Sequence, residues 1–255
     1  NVGTVTGALT SGNTTDDTAL VLSGTNESGS SVKVFNGSTE LGSATVSGTS
    51  WSYSATVADG TTYQFNVKET DLAGNTSNAT TNFTITGDTT APTVSSVAIT
   101  SATGIQNNFL NADDVVSVTA TFRESVIVDN ASGNNPALTL VVGSNNQAAT
   151  YASGDNSTTL VFQYTIQAGD NDTNGISIGE NTLALNGGTI RDAAGNNATL
   201  THSSVADNSS YKVDTTPPTV SGVAITSAAG IQNNFVNADD RSEEHTSELQ
   251  SRTNL

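Results

Sequence analysis

The feature that most limits what this chain can fold into is a repeat. Pro92-Thr93-Val94 through Asn111-Ala112-Asp113-Asp114 recurs as Pro218-Thr219-Val220 through Asn237-Ala238-Asp239-Asp240, 126 residues further on, with three of 23 positions changed. That period far exceeds a solenoid unit and fits whole domains in series, each with its own core. Two short joints precede the repeat, Asp88-Thr89-Thr90-Ala91-Pro92 and Asp214-Thr215-Thr216-Pro217-Pro218. Both are stiffened by proline, which fixes its own φ and restricts the residue before it. The sequence therefore predicts one domain over 1–88, a second and larger one over 89–216, and over 217–240 the start of a third repeat that cannot fold alone. With no Met at residue 1 or elsewhere in the 255 residues, the chain reads as an internal piece of a longer protein.

Alternation of apolar and polar residues, the period of a half-buried strand, sets the fold class. It appears at Ser31–Phe35, Trp51–Val57, Tyr63–Glu69 and Asn82–Thr86 in the first domain. In the second, Val116, Val118, Ala120 and Phe122 alternate, as do Leu138, Leu140 and Val142, then Leu160, Phe162, Tyr164 and Ile166. Asn36-Gly37 and Gly154-Asp155-Asn156 are turn signals, and no useful helical period occurs. About seven short strands per domain predict an all-β chain of tandem Ig-like antiparallel β-sandwiches with Greek-key connections.

Charge and composition exclude several functions. A formal charge of -17 argues against nucleic acid or an anionic membrane as partner and leaves cations as the natural counterpart. No apolar stretch is long enough to span a membrane. With no Cys, and with His202 the one histidine before residue 241, a nucleophile-base pair is not expected. His202 reads as an exposed residue at a strand end. A glycosidase would need paired carboxylates in a cleft; Glu124 and Glu180 are present, but no aromatic platform accompanies them, and Trp51, the single Trp, reads as core.

Calcium is the ligand the residues suit, because it takes about six to eight oxygens and this chain concentrates Asp and Asn in its loops. Asp170-Asn171-Asp172-Thr173-Asn174-Gly175 matches the opening of a calcium loop, with Asp170, Asp172 and Asn174 as candidate ligands. Its twelfth position is Asn181 rather than Glu, and no helices flank it, so it is no EF-hand. Two junction clusters are also expected: Asp71 and Asp88 beside Asp113 and Asp114, and Asp192 and Asp214 beside Asp239 and Asp240. Gathered carboxylates repel one another unless a cation bridges them, and a bridging cation would convert a hinge into a strut. The plain alternative is that Asp-x-Ala-Gly-Asn is a β-turn whose Asp caps the backbone without any metal.

Several motifs resemble the bacterial Ig-like repeats of giant repetitive surface adhesins, many of them exported by type I secretion. They are Thr14-Thr15-Asp16-Asp17-Thr18, Trp51-Ser52-Tyr53, Ala58-Asp59-Gly60 and Asp71-Leu72-Ala73-Gly74-Asn75 in the first domain, and Phe122-Arg123-Glu124-Ser125-Val126 and Asp192-Ala193-Ala194-Gly195-Asn196 in the second. The family has Ser and Pro where this chain has Arg123 and Ser125. The resemblance implies non-catalytic extenders at the cell surface or outside the cell, partnered by neighbouring Ig-like repeats of the same chain and reaching a host or surface glycan through distal domains. It also implies calcium at the junctions. The competing expectations are a carbohydrate-binding or accessory module of a secreted polysaccharide-degrading enzyme and an adhesive tip. Residues 241–255 break the pattern, and Arg241 through Ser251 resemble translated sequencing adapter.

Overall fold

The computed structural model describes residues 7–130, 133, 135–226 and 235. Residues 241–255, read above as adapter, and the repeated acids Asp239 and Asp240 lie outside the described residues. Asn1–Thr216 form one compact unit and Pro217–Leu255 another. In the second unit residues 217–226 form no strand, and Val220, Val223 and Ile225 are exposed.

The described residues of the first unit are strands and loops without a helix. Eight strands precede the first linker: β1 (Asn13–Thr15), β2 (Ala19–Thr25), β3 (Ser31–Asn36), β4 (Thr39–Ser43), β5 (Thr45–Ser47), β6 (Ser50–Thr56), β7 (Thr62–Thr70) and β8 (Phe83–Gly87). One sheet runs β1-β8-β7-β3-β4 and the facing one β2-β6-β5. Alternation builds the layer between them: Val32 and Val34 of β3 point inward with Phe65 and Ile85, against Leu20 and Ala55 of the other sheet. The β3–β4 hairpin closes through Gly37 at φ 59, where a side chain would be strained. Trp51 is half-buried rather than core. It stands opposite Gly24 in the β2–β6 ladder and lays its indole where a Cβ on Gly24 would sit.

Ten strands follow: β9 (Val94–Thr103), β10 (Phe109–Leu110), β11 (Val115–Asp129), β12 (Ala137–Val142), β13 (Asn145–Ser153), β14 (Ser157–Thr165), β15 (Asn171–Asp172), β16 (Ser177–Ala184), β17 (Thr189–Arg191) and β18 (Lys212–Asp214). The large sheet runs β16-β12-β13-β14-β11-β17, with β9 also on β11, and the small one β10-β18-β15. Between them lie Val116, Val118, Leu138, Leu140, Leu160, Phe162, Ile166, Ile176 and Ile178, all fully buried or nearly so. Both sandwiches are antiparallel except for one parallel edge pair each, β1 with β8 and β10 with β18.

Strand direction fixes which loops share an end. In the first sandwich Thr62 of β7 pairs Thr86 of β8, so Asp88 lies at the end of the sheet from which β7 starts. Asp71 lies past the other end of β7, about 30 Å away at the rise of an extended strand. In the second sandwich Val94 of β9 pairs Phe122 of β11 and Thr103 pairs Val115. The linker end therefore carries Glu124, while Asp113 and Asp114 sit about 30 Å off at the far end.

Candidate cation site at the junction of the two sandwiches

The linker between β8 and β9 is held from both sides. Asp88 receives its own Thr90 amide on Oδ1 at 3.1 Å, and its backbone amide donates to Thr15 O at 2.9 Å. Asp59 takes the Thr89 amide at 2.7 Å and the Thr90 hydroxyl at 3.1 Å, and these donors hold its carboxyl below the usual range. From the second sandwich, the Thr199 amide donates to Pro92 O at 2.8 Å and the Arg123 amide to Thr93 O at 3.0 Å.

Onto this linker folds the turn after β17. Asp192 is buried, its Oδ1 accepting the amides of Gly195 at 2.7 Å and Asn196 at 2.9 Å, and its Oδ2 accepting Asn196 Nδ2 at 2.7 Å. The other hydrogen of Asn196 Nδ2 goes to Asp88 O at 2.8 Å, and the Asp16 amide donates to Ala194 O at 3.3 Å. Gly195, at φ 110, leaves room for the Asp16 carboxylate 3.4 Å from the place a Cβ would take. The turn is thus the metal-free β-turn foreseen for Asp-x-Ala-Gly-Asn, and it also joins one sandwich to the next.

The outcome is a group of three carboxylates from three chain segments, Asp88, Glu124 and Asp192, whose ligand oxygens lie within 4.8 Å of one another. It is the one such group among the described residues. Burial, then the charge of Asp192, then that of Asp88, push the Glu124 carboxyl upward. A carboxyl whose folded-state pKa is raised stabilises the fold below its ordinary pKa and loses that contribution as pH rises through the raised value. In chelator and low salt, a Glu124→Gln variant is therefore expected to melt above the parent at pH 7, with the gap closing as the pH falls toward the ordinary glutamate range. Scanning calorimetry across that span checks this, and a gap that does not change with pH would rule out the repulsion.

The other candidate residues are placed differently from the sequence reading. Asp71 does not join Asp88. It caps its own turn, accepting the Asn75 amide at 2.8 Å and Asn75 Nδ2 at 2.9 Å, and Asn75 holds its carboxyl below the usual range. Asp113 and Asp114 do not join Asp88 either, because β9 separates them. Asp113 donates its amide to Ile166 O at 2.9 Å, and Asp114 accepts the Asn111 amide at 2.8 Å. Asp192 and Asp214 lie at opposite ends of the second sandwich, since β17 pairs the last residues of β11 whereas Asp214 pairs Asn171 at the far end.

The loop with the sharpest calcium signature is tied inward. Asp170 is buried and accepts Gln147 Nε2 at 3.1 Å, the Tyr164 hydroxyl at 2.6 Å and the Gln167 amide at 2.9 Å. Asp172 accepts the amides of Gly143 at 2.7 Å and Gly175 at 2.8 Å, and Asn174 Nδ2 donates to Asp207. Glu124 and Asp59 were overlooked as junction residues. Their signal was available, since both lie in the quoted motifs, but nothing along the chain pairs position 88 with 192.

His202 is buried rather than exposed. Its Nε2 accepts the amides of Thr182 at 2.9 Å and Leu183 at 3.3 Å, and Nδ1 lies 2.9 Å from Ser203 O. Gly179 to Thr182 lie where β16 shifts register against β12, and the ring supplies the acceptor that the interrupted ladder lacks there.

Residues 1–89 match the family model of a bacterial Ig-like domain. No curated protein matches the chain. Among solved structures, the fibronectin(III)-like modules of Clostridium thermocellum CbhA align at 14% identity and a TM-score of 0.36, covering 80% of this chain and 91% of that one. Bacteroides ovatus SGBP-B, of a mixed-linkage glucan utilization locus and in complex with a mixed-linkage heptasaccharide, aligns at 16% identity and 0.24, over 82% of this chain and 44% of that one. The D00-D0 domain of Intimin aligns at 15% identity and 0.24, over 77% and 95%. Among the described residues no helix is long and apolar enough to cross a membrane.

Proposed function

We propose that the chain is a non-catalytic spacer from a large bacterial surface adhesin, acting outside the cell, with calcium stiffening the junction between its sandwiches. The observation that supports this most is the junction itself. A turn of the second sandwich is hydrogen-bonded to the end of the first through Asp16, Asp88, Ala194 and Asn196, beside three converging carboxylates. Both ring nitrogens of His202 are engaged with the backbone, which supports a mechanical rather than a catalytic role.

An all-oxygen, all-carboxylate donor set suits a hard divalent cation. Asp88 would hold it from the linker, Glu124 from β11 and Asp192 from the turn. The cation would supply positive charge against the repulsion that raises Glu124. The protein's part is to fix Asp192 through Gly195 and Asn196, and to fix the linker through Asp59, so that the three groups arrive already oriented.

The test is calorimetry and small-angle scattering of the 255-residue chain in excess calcium and in chelator. Calcium at about a hundred times its dissociation constant adds roughly 2.7 kcal/mol, a rise in melting temperature on the order of 5–10 °C. Glu124→Gln is expected to remove most of that rise. Identical melting and scattering in calcium and chelator would refute the calcium-stiffened spacer.

A further inference from the structure

The same turn occurs in both sandwiches, and in the second its outer face is covered. Asp71-Leu72-Ala73-Gly74-Asn75 follows β7, and Asp192-Ala193-Ala194-Gly195-Asn196 follows β17. They are built alike. The first-position amide donates to the last-position carbonyl at 3.0 Å and 3.2 Å respectively. The Asp carboxylate in turn accepts the Asn amide at 2.8 Å and 2.9 Å and the Asn Nδ2 at 2.9 Å and 2.7 Å. Each has a glutamate nearby. Glu124 lies beside Asp192, and Glu27 lies at the end of β7 that leads into Asp71, where its amide donates to Glu69 Oε1 at 2.5 Å.

Their surroundings differ. In the second sandwich Asp192, Ala194 and Gly195 are buried, because the first sandwich lies on them: Ala194 O takes the Asp16 amide and Asn196 Nδ2 reaches Asp88 O. In the first sandwich Ala73, Gly74 and Asn75 are exposed, and Leu72 is 86% exposed although one side of it rests against Gly29. A large apolar side chain at the tip of an otherwise polar turn is costly in water unless something covers it.

What covers the second turn is the end of a sandwich that offers two groups: an amide just past a short edge strand, as at Asp16 after β1, and a carbonyl just past the last strand, as at Asp88 after β8. The second sandwich repeats that end. Its short edge strand β10 pairs in parallel with its last strand β18, Asp214 follows β18, and Asp214-Thr215-Thr216-Pro217-Pro218 repeats the first linker with Ala91 changed to Pro217. We infer that the turn Asp71–Asn75, with Leu72 at its tip, is a docking surface for the Asp214 end of another sandwich of the 89–216 kind. That end gives an amide to Ala73 O and takes a hydrogen bond from Asn75 Nδ2 on its linker carbonyl, and the docked end buries Leu72. The inference rests on the spacer reading and names the partner surface of the first sandwich.

The chain has no Cys, so a single introduced thiol reports burial without background. Ala73→Cys and Ala194→Cys occupy equivalent places in the two turns. In the 255-residue chain in millimolar calcium, Ala73→Cys is expected to react with a maleimide at the rate of a free thiol, and Ala194→Cys at least tenfold more slowly. When a second copy of residues 89–216 is joined ahead of residue 1, Ala73→Cys is expected to slow at least tenfold, and adding Leu72→Arg to restore the fast rate. Ala73→Cys reacting equally fast in both chains, or staying slow despite Leu72→Arg, overturns the docking surface. Fast reaction of Ala194→Cys in the parent chain overturns the junction, and with it the spacer reading.

Discussion

Replacing Phe162 by Ala is expected to lower the unfolding free energy of the second sandwich by about 3–5 kcal/mol, the range for emptying a large aromatic from a core. Phe162 is fully buried in the middle of β14, opposite Val118 of β11 on one side and Tyr151 of β13 on the other. Its ring meets that of Tyr151 edge to face, with centroids 6.1 Å apart. Truncation removes both the buried area and that contact, and ladders on both flanks of β14 keep the strands from closing over the gap. A loss of that size is a large part of the roughly 5–15 kcal/mol that holds a domain folded. The first sandwich has its own core of Leu20, Ala55, Val57, Phe65 and Ile85, so its transition is expected to stay within about 0.5 kcal/mol. Denaturant unfolding followed by circular dichroism would separate the two transitions, and a loss under about 1 kcal/mol would show that β14 is not the centre of this core.

The same strand shows what the sequence makes legible. Leu160, Phe162, Tyr164 and Ile166 alternate because one face of β14 meets the core, and the same holds for the first half of β11 and for β3 and β7. Period two carries all of that. It carries nothing for β1, β10, β15, β17 and β18, which are two or three residues long and are held by edge pairing rather than by pattern. It also fails at Arg123-Glu124-Ser125, where β11 continues to Asp129 through a break in its register with β14. That break places Glu124 beside Asp88 and Asp192.

The junction was half legible for a related reason. Composition and motif identified Asp88 and Asp192 as candidates, but assigned them to different junctions, because closeness along the chain stood in for closeness in space. Strand direction decides instead: a strand of nine or ten residues carries the chain the whole length of a sandwich, so Asp71 and Asp88 part while Asp88 and Asp192 meet across 104 positions. His202 was misjudged because its Thr and Ser neighbours look like surface, whereas the unpaired amides of Thr182 and Leu183 require a buried acceptor.

Asp170→Ala is expected to destabilise the second sandwich by about 3 kcal/mol or more, equally in calcium and in chelator. The carboxylate accepts from Gln147, from Tyr164 and from the Gln167 amide, and a hydrogen bond to a charged group contributes about 1.5–3 kcal/mol. Alanine leaves the buried Tyr164 hydroxyl and the Gln167 amide without their acceptor, and a donor stranded in that way costs about 1–3 kcal/mol each. The Tyr164 hydroxyl already shows the coupling: burial first, then Asp170, raise its pKa far above the ordinary tyrosine value. Asp170→Asn keeps the shape and one acceptor oxygen, so it is expected to lose less than alanine does. The Asp-x-Asp-x-Asn-Gly spacing arises here because a tight loop needs short acceptors for its own amides, which is the demand a calcium loop makes of the same residue types. Urea unfolding of both variants with and without calcium separates the two origins. A structural latch gives the same loss in each condition, whereas a loss present in calcium and absent in chelator would return the ion to this loop and take the latch away.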